Sequence, residues 1–266
     1  MNNRTKAYNE LADLPPGINL DSAILLKSSI KASRLLAELK GYCQTLPNPQ
    51  ILINTIILQE SKDSSAIENI VTTQDELYRA TMLPKDSTHI SFATKEVLMY
   101  KEALYTGLDL LKRRGLTTNT LISVMQKLKN TSLGIRQGTG TRLANPISNE
   151  IIYTPPEGEE LLRKKLTSLE KFIHDEADGI DPLIKLALMH YQFEAIHPFE
   201  DGNGRMARIC TNQILMKTNF PPLILKEEEK DRYFDAIVKD HDQGNILPTV
   251  RHFASTLLNQ IKTTLK

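Results

Sequence analysis

Apolar residues recur at helical spacing along almost all of this chain, and that period excludes most β architectures before any motif is considered. Two cap-plus-proline pairs give the clearest helix starts. In Asn48-Pro49 and Asp181-Pro182 a side-chain oxygen can accept from the first free amides, and proline at the first helical position gives up an N–H that lacks an acceptor anyway. The first pair opens the run Ile51 to Leu58, apolar almost all round, which marks a central helix. The second opens a helix to about Ile196. Asp21 caps an earlier helix with Ile24, Leu25, Leu35, Leu36 and Leu39 on its apolar side and Gly41 as its stop. Thr73 and Glu76 make a capping box for a short helix to Met82. Further helices read as Ser91 to Lys112, closed near Gly115, and from Thr118 or Asn119 to about Asn130. Leu162, Leu166, Leu169 and Ile173 form one apolar stripe. Asn203 to Thr218, Lys226 to Asp242 and Leu247 to Thr264 complete the set, with Glu227, Glu228 and Glu229 as a solvated first turn. Gly134 to Gly158 is different, rich in Gly, Thr, Asn and Pro. Two short apolar segments between Thr141 and Tyr153, around Ser148-Asn149-Glu150, read as a β-hairpin. The expected fold is mainly all-α, a helical bundle with one small hairpin.

The chain has 266 residues, enough for one large or two small domains and for a core without staples. Its 33 Lys and Arg against 32 Asp and Glu give no reason to expect nucleic acid as a partner. Cys43 and Cys210 read as reduced core thiols, with one disulfide left open. No apolar stretch follows a basic start, and no run approaches ~18 uncharged apolar residues. The expectation is a cytoplasmic protein of bacterial type without membrane contact.

The segment His197-Pro198-Phe199-Glu200-Asp201-Gly202-Asn203-Gly204-Arg205-Met206-Ala207-Arg208 fits one physical scheme. A helix ends near His197, Pro198 forbids its continuation, and a new helix starts near Asn203. Gly202 and Gly204 let the backbone approach a ligand closely. The free amides at the new helix start make an anion site. Arg205 and Arg208 stand three apart and match phosphate oxygens with paired hydrogen bonds. Asp201 is a hard oxygen ligand suited to Mg²⁺ held with substrate phosphates. His197, at the edge of the nest, has an ordinary pKa suited to taking a proton near neutral pH. Phe199 reads as packing inward to fix the loop. A polyphosphate, a divalent metal and a base in one loop mean phosphoryl or nucleotidyl transfer.

These residues resemble, at every fixed position, the signature of the Fic family. That resemblance implies a Fic fold and transfer of AMP from ATP to a Tyr, Ser or Thr hydroxyl of a protein, with pyrophosphate released. Doc toxins, which transfer phosphate instead, carry lysine where this chain has Gly204. The hairpin Thr141 to Tyr153 with Thr154-Pro155-Pro156 resembles the Fic flap, which docks a target segment by strand addition. Ser64-Ser65-Ala66-Ile67-Glu68-Asn69 resembles the Fic inhibitory motif, and its position implies the class with an N-terminal inhibitory helix, in which Glu68 competes with the γ-phosphate for Arg208. The segment Leu14 to Tyr78 is similar to the N-terminal region ahead of many bacterial Fic cores. The implied division is 1–88, carrying Ser64, Glu68 and Asn69, and a catalytic core over 89–266. The chain ends at Lys266, leaving no room for the winged helix of many relatives, so no DNA-binding role is expected.

By this resemblance the nest of Gly202, Asn203 and Gly204 holds the phosphates, the Asn203 amide reaches the α-phosphate, and Arg205 and Arg208 neutralise the β- and γ-phosphates. Asp201 holds the metal, His197 accepts the target's proton, and Tyr233 and Phe234 face the adenine or pack in the core. Self-modification, a homodimer and the reverse removal of AMP are within what the family implies. The alternative is a catalytically silent Fic-fold module that binds nucleotide or protein. A metal enzyme built on His190, Glu194 and His197 lacks the second Glu-x-x-His pair that a di-iron bundle needs, so His190 reads as a core histidine.

Overall fold

Caps fix where most of the helices begin. The computed structural model describes residues 4–17, 20, 23–82, 90–145, 148–243, 248–249, 252 and 255–256. Within them run α1 (Ala23–Thr45), α2 (Pro49–Ile67), α3 (Gln74–Met82), α4 (Phe92–Arg114), α5 (Thr118–Lys129), α6 (Glu159–His174), α7 (Pro182–Ile196), α8 (Asn203–Lys217) and α9 (Lys230–Gln243). Asn48 Oδ1 accepts from the Gln50 amide at 3.1 Å, and Asp181 Oδ1 accepts from Leu183 at 2.9 Å and Ile184 at 3.3 Å. Ser91 caps α4, and Thr117, one residue before the expected opener, caps α5. Only half of the capping box at α3 forms. Thr73 accepts from the Glu76 amide at 3.2 Å, but the Glu76 carboxylate turns to the Thr72 hydroxyl at 2.9 Å.

Some expectations move. Gly41 does not end α1, which continues to Thr45; one glycine costs a helix only about 1 kcal/mol. The acidic run Glu227–Glu229 is a 3-10 turn, and α9 begins after it at Lys230. The stripe of α6 buries Phe172 with Leu162, Leu166 and Leu169, leaving Ile173 half-buried. Cys210 is a buried free thiol, so it forms no disulfide. Asp21, the domain boundary at 88/89 and most of Leu247 to Thr264 lie outside the described residues, as does the Cys43 side chain.

The central helix is α7 rather than α2. Residues Leu186 to Met189 and Phe193, Ala195 and Ile196 are all buried, and α7 packs on α6 and α8. In the run Ile51 to Leu58 of α2 only Ile56, Ile57 and Leu58 are buried, while Ile51 is 65% exposed. Helix α4 ties the bundle together through α2, α5 and α8. Its inner face contributes Tyr100, Ala103, Leu104 and Leu111 to one cluster with α7 and α8. Each such aliphatic side chain, fully buried, contributes on the order of 2 kcal/mol. No described helix is long and apolar enough to cross a membrane.

The hairpin forms as β1 (Leu143–Ala144) antiparallel to β2 (Ile151–Tyr153), with Leu143 opposite Tyr153 and Ala144 opposite Ile151. It is strapped from outside by the start of the chain. The Tyr8 amide donates to Thr154 O at 3.0 Å, Thr154 Oγ1 donates to Arg4 O at 2.6 Å, and the Tyr8 ring meets Tyr153 edge-on. The strap is anchored by Lys165 on Asp13 at 2.9 Å and by Gln192 Nε2 on Ala12 O at 2.8 Å.

Candidate active site

The chemistry-bearing loop is the turn between α7 and α8. Its first residue, His197, adopts a left-handed conformation (φ 49°, ψ 59°) that ends α7, and Pro198 then directs the chain away. Arg136 holds this turn from beneath and was not singled out in the sequence. Its backbone amide donates to Pro198 O at 2.9 Å and its Nε to His197 O at 2.7 Å, while Nη2 donates to Pro156 O at the end of the hairpin. One buried guanidinium thus joins hairpin and loop. Phe199 packs inward, 1% exposed, as the sequence suggested. Asn203 is buried with both ends of its amide spent on the loop: Oδ1 accepts from the Phe199 amide at 2.9 Å and Nδ2 donates to Phe199 O at 2.7 Å. Its side chain is therefore a brace rather than the free phosphate donor expected of it. Gly202 caps α8 at φ 82°, where a side chain would be strained.

The first-turn amides of α8 have no intrahelical acceptor. That ring is half-buried, with Nδ1 sealed from solvent. Burial and the nearby Arg136 charge lower its pKa to about 4, below the near-neutral value its residue type suggested. The imidazole is therefore neutral at physiological pH, with Nε2 left as the outward nitrogen.

The two arginines of the motif part company. Three residues on a helix is a rotation of about 60° short of a full turn, and here that separates two neighbours. Arg205 is buried against α4, its Nη1 on Glu96 Oε2 at 2.7 Å. Glu96 also pairs with Lys129 at 3.8 Å, and Lys129 with Asp201 at 2.7 Å. Arg205 thus anchors α8 instead of standing free for a phosphate. Arg208 turns to α2. Its Nε donates to Ser64 Oγ at 2.7 Å, and Nη2 to Ser64 O at 3.0 Å and to Glu68 Oε1 at 2.6 Å.

Glu68 lies at the C-cap of α2, just outside its last turn (φ −92°, ψ 19°), and its carboxylate hangs over the start of α8. A Cβ at Gly204 would stand 2.5 Å from Glu68 Oε1, 3.1 Å from Arg208 Nη1 and 3.4 Å from Glu194 Oε1. Only glycine lets these three groups converge there. Asn69 follows in the left-handed region at φ 61° and accepts from Lys230 at 3.2 Å. Asparagine tolerates that backbone better than most residues, which suits Asn69 to follow the end of α2. Asn69→Ala is expected to cost about 1 kcal/mol in denaturant unfolding, since alanine resists that conformation.

Beneath the site lies a cluster of buried acids and phenols, in which Glu60 and Tyr100 were not singled out in the sequence. Tyr233 is 1% exposed. Its hydroxyl meets His190 Nε2 at 2.8 Å and Glu194 Oε1 at 3.2 Å, and Arg208 lies 5.8 Å over its ring. It forms the floor under Arg208, whereas Phe234 keeps a 38% exposed ring. His190 is a core histidine, as expected, fully buried between Tyr233 and Thr211. Burial raises Glu194 to about 7 and Glu60 to about 8, against the lowering effects of Arg208 on both and of Tyr100 on Glu60. Folded protein thus holds a proton on Glu60 that the unfolded chain has released above the ordinary carboxylate range. Stability must fall as pH rises from that range through about 8. Thermal unfolding between about pH 6 and about pH 9 should show a shallower decline in Glu60→Gln than in the native chain.

Asp201 is the candidate metal ligand. Its side chain is 71% exposed, and its two oxygens take the Lys129 ammonium and the Gly202 amide at 2.7 Å each. Partial burial would raise its pKa, but these partners outweigh that and hold the carboxyl below its usual value. One exposed, ionised carboxylate fits Mg²⁺, which keeps waters and substrate phosphates as its other ligands. No group of three or more His, Cys, Asp or Glu among the described residues suggests a closed metal cage.

This arrangement defines a helical protein in which a glycine-flanked helix start follows a neutral imidazole in one loop. Residues 26–109 match the model of the Fic/DOC family N-terminal region, and residues 115–215 match the Fic/DOC family model. The chain belongs to the Fic/DOC family. It is 27% identical over 256 residues to "Protein adenylyltransferase Fic" of Nematostella vectensis, covering 92% of this chain and 56% of that protein. It is 37% identical over 100 residues to "Protein adenylyltransferase fic-1" of Caenorhabditis elegans, covering 37% of this chain and 20% of that one. The chain therefore spans about half or less of these relatives. Among solved structures, Fic-1 (residues 134–508) of C. elegans superposes with a TM-score of 0.74 at 22% identity, over 92% of this chain and 72% of that one. A Fic domain containing signaling protein of Bacteroides thetaiotaomicron gives 0.73 at 22% identity, over 89% and 96%. At that identity the superpositions speak for the fold.

Proposed function

We propose that this chain transfers AMP from ATP to a hydroxyl group of a protein, itself included, and that Glu68 restrains it. The reading is carried by the first turn of α8, where a carboxylate held by Arg208 sits over Gly204. That is where a helix N-terminus and a guanidinium favour an anion, and where a terminal phosphate of ATP would have to displace Glu68. The names of the relatives agree with this chemistry.

In this mechanism the target hydroxyl oxygen attacks the α-phosphorus, the bond to the β-phosphate oxygen breaks, and pyrophosphate leaves. His197 Nε2 takes the hydroxyl proton. Its low pKa keeps the lone pair available at physiological pH, and an arriving polyanion raises its basicity. The α8 amides bind the phosphates, and Arg208 takes the terminal one once Glu68 has turned away. Arg205, held by Glu96, fixes the pitch of α8. Mg²⁺, when bound at Asp201, would neutralise charge on the phosphates and on the leaving pyrophosphate. The target segment would lie along the hairpin, whose backbone accepts many sequences.

Incubation with ATP labelled on either the α- or the γ-phosphate tests the reaction. Protein label from the α-position alone, with pyrophosphate released, is expected. Label from the γ-position would mean phosphate transfer, and binding without label would mean a silent module.

A further inference from the structure

The last carbonyls of α7 have no intrahelical donor, and buried carbonyls must find one elsewhere. Here two donors reach them from the hairpin and the stretch leading into it. The Ala195 carbonyl accepts from the Tyr153 hydroxyl at 2.9 Å, and Tyr153 is the last residue of β2. The His197 carbonyl accepts from Arg136 Nε at 2.7 Å, and Arg136 lies between α5 and β1. The same guanidinium donates through Nη2 to Pro156 O, just past β2, and the Arg136 amide donates to Pro198 O at 2.9 Å. Tyr153 is 6% exposed and Arg136 2%, so water competes little for these donors. The hairpin is thus pinned twice to the few residues around His197, once by a phenol and once by a guanidinium. Both pins end on α7 or just after it, and not on α8, whose first turn would hold the phosphates.

We propose that Tyr153 and Arg136 are positioning residues that keep the hairpin in register with His197. The inference rests on the proposed AMP transfer and deepens it. Among the described residues the sheet has only two strands, so it leaves an edge for a target segment. A segment paired there would carry its hydroxyl at a height set by the hairpin. The nitrogen that must take the proton is set by the end of α7. Proton transfer needs the two heavy atoms about 3 Å apart, and an error of about 1 Å can cost about a hundredfold. The pins tie the two frames together at Ala195 and His197, whatever sequence docks. Neither side chain touches the reacting atoms, so both act through the hairpin and the backbone of His197.

Water can attack the same α-phosphorus, giving AMP and pyrophosphate with its proton passing to His197, and water needs no hairpin. The ratio of labelled protein to free AMP therefore reads the register apart from the chemistry. The test uses the full chain carrying Glu68→Gly, incubated with ATP labelled on the α-phosphate, with both products measured in one sample. Adding Tyr153→Phe, which keeps the ring and removes one hydroxyl, should lower the ratio by about tenfold. Arg136→Lys should lower it by about a hundredfold, because one ammonium lacks the planar fork that meets two carbonyls at once. Calorimetric ATP affinity should hardly change in either. If Arg136→Lys fails to fold, Tyr153→Phe decides alone. An unchanged or higher ratio, with labelled protein and AMP falling together or not at all, would overturn the pins while leaving AMP transfer intact. No labelled protein from the Glu68→Gly chain itself would instead overturn the functional reading, and the role of the pins with it.

Discussion

Replacing Glu68 with glycine should raise self-modification by labelled ATP by about tenfold or more. The carboxylate shares Arg208 Nη2 at 2.6 Å, and a hydrogen bond to a charged group contributes about 1.5–3 kcal/mol. One guanidinium cannot make the same bonds to a carboxylate and a phosphate at once. Removing the carboxylate therefore lowers the cost of seating the terminal phosphate by that amount, less whatever Ser64 and solvent already supply. The gain should appear mainly in the dependence on ATP concentration, because His197 and the first turn of α8 are untouched. Glu68→Gln should give a smaller gain, since the amide oxygen can still accept from Arg208. Glu68→Gly protein that binds ATP normally and labels no faster would remove the inhibitory assignment.

The second large effect is expected at His197. His197→Ala should cut transfer by about a thousandfold, within the range for loss of a general base. ATP affinity should stay within a few fold, because the phosphates are held by α8 amides and Arg208. The loop should survive the change poorly only if the ring were structural. Its backbone carbonyl, which Arg136 holds at 2.7 Å, and its amide bond to Phe193 do not depend on the side chain. The left-handed φ of 49° does depend on residue type, so some loss of stability is expected. His197→Asn, which tolerates that backbone, separates the two: it should fold normally and still fail to transfer.

Much of the scaffold could be read directly. Asn48, Ser91 and Asp181 cap their helices because capping is a local competition for the first free amides, decided within three residues. The hairpin was legible from its turn residues, and the loop from Pro198 and Gly202, for the same reason. Gly41 misled, since an isolated glycine costs a long helix little when both sides pack. The all-apolar run of α2 also misled. Hydrophobicity says that a face can be buried, not whether a neighbour arrives to bury it, and Ile51 stays exposed while α7 takes the centre.

At the site the division is sharper. Local sequence determined that a helix starts near Asn203 between two glycines and that a histidine ends the helix before it. The family resemblance implied the Glu68–Arg208 pair, but tertiary structure alone decided that Arg205 is spent on Glu96. Arg205 meets Glu96 from 109 positions away, and Arg208 meets Ser64 and Glu68 from 144 and 140 positions away. No spacing rule connects such residues. The same is true of Arg136 beneath His197 and of Tyr100 on Glu60. Their charges and hydroxyls acquire roles only when packing removes water and leaves buried donors dependent on the acceptors it brings near.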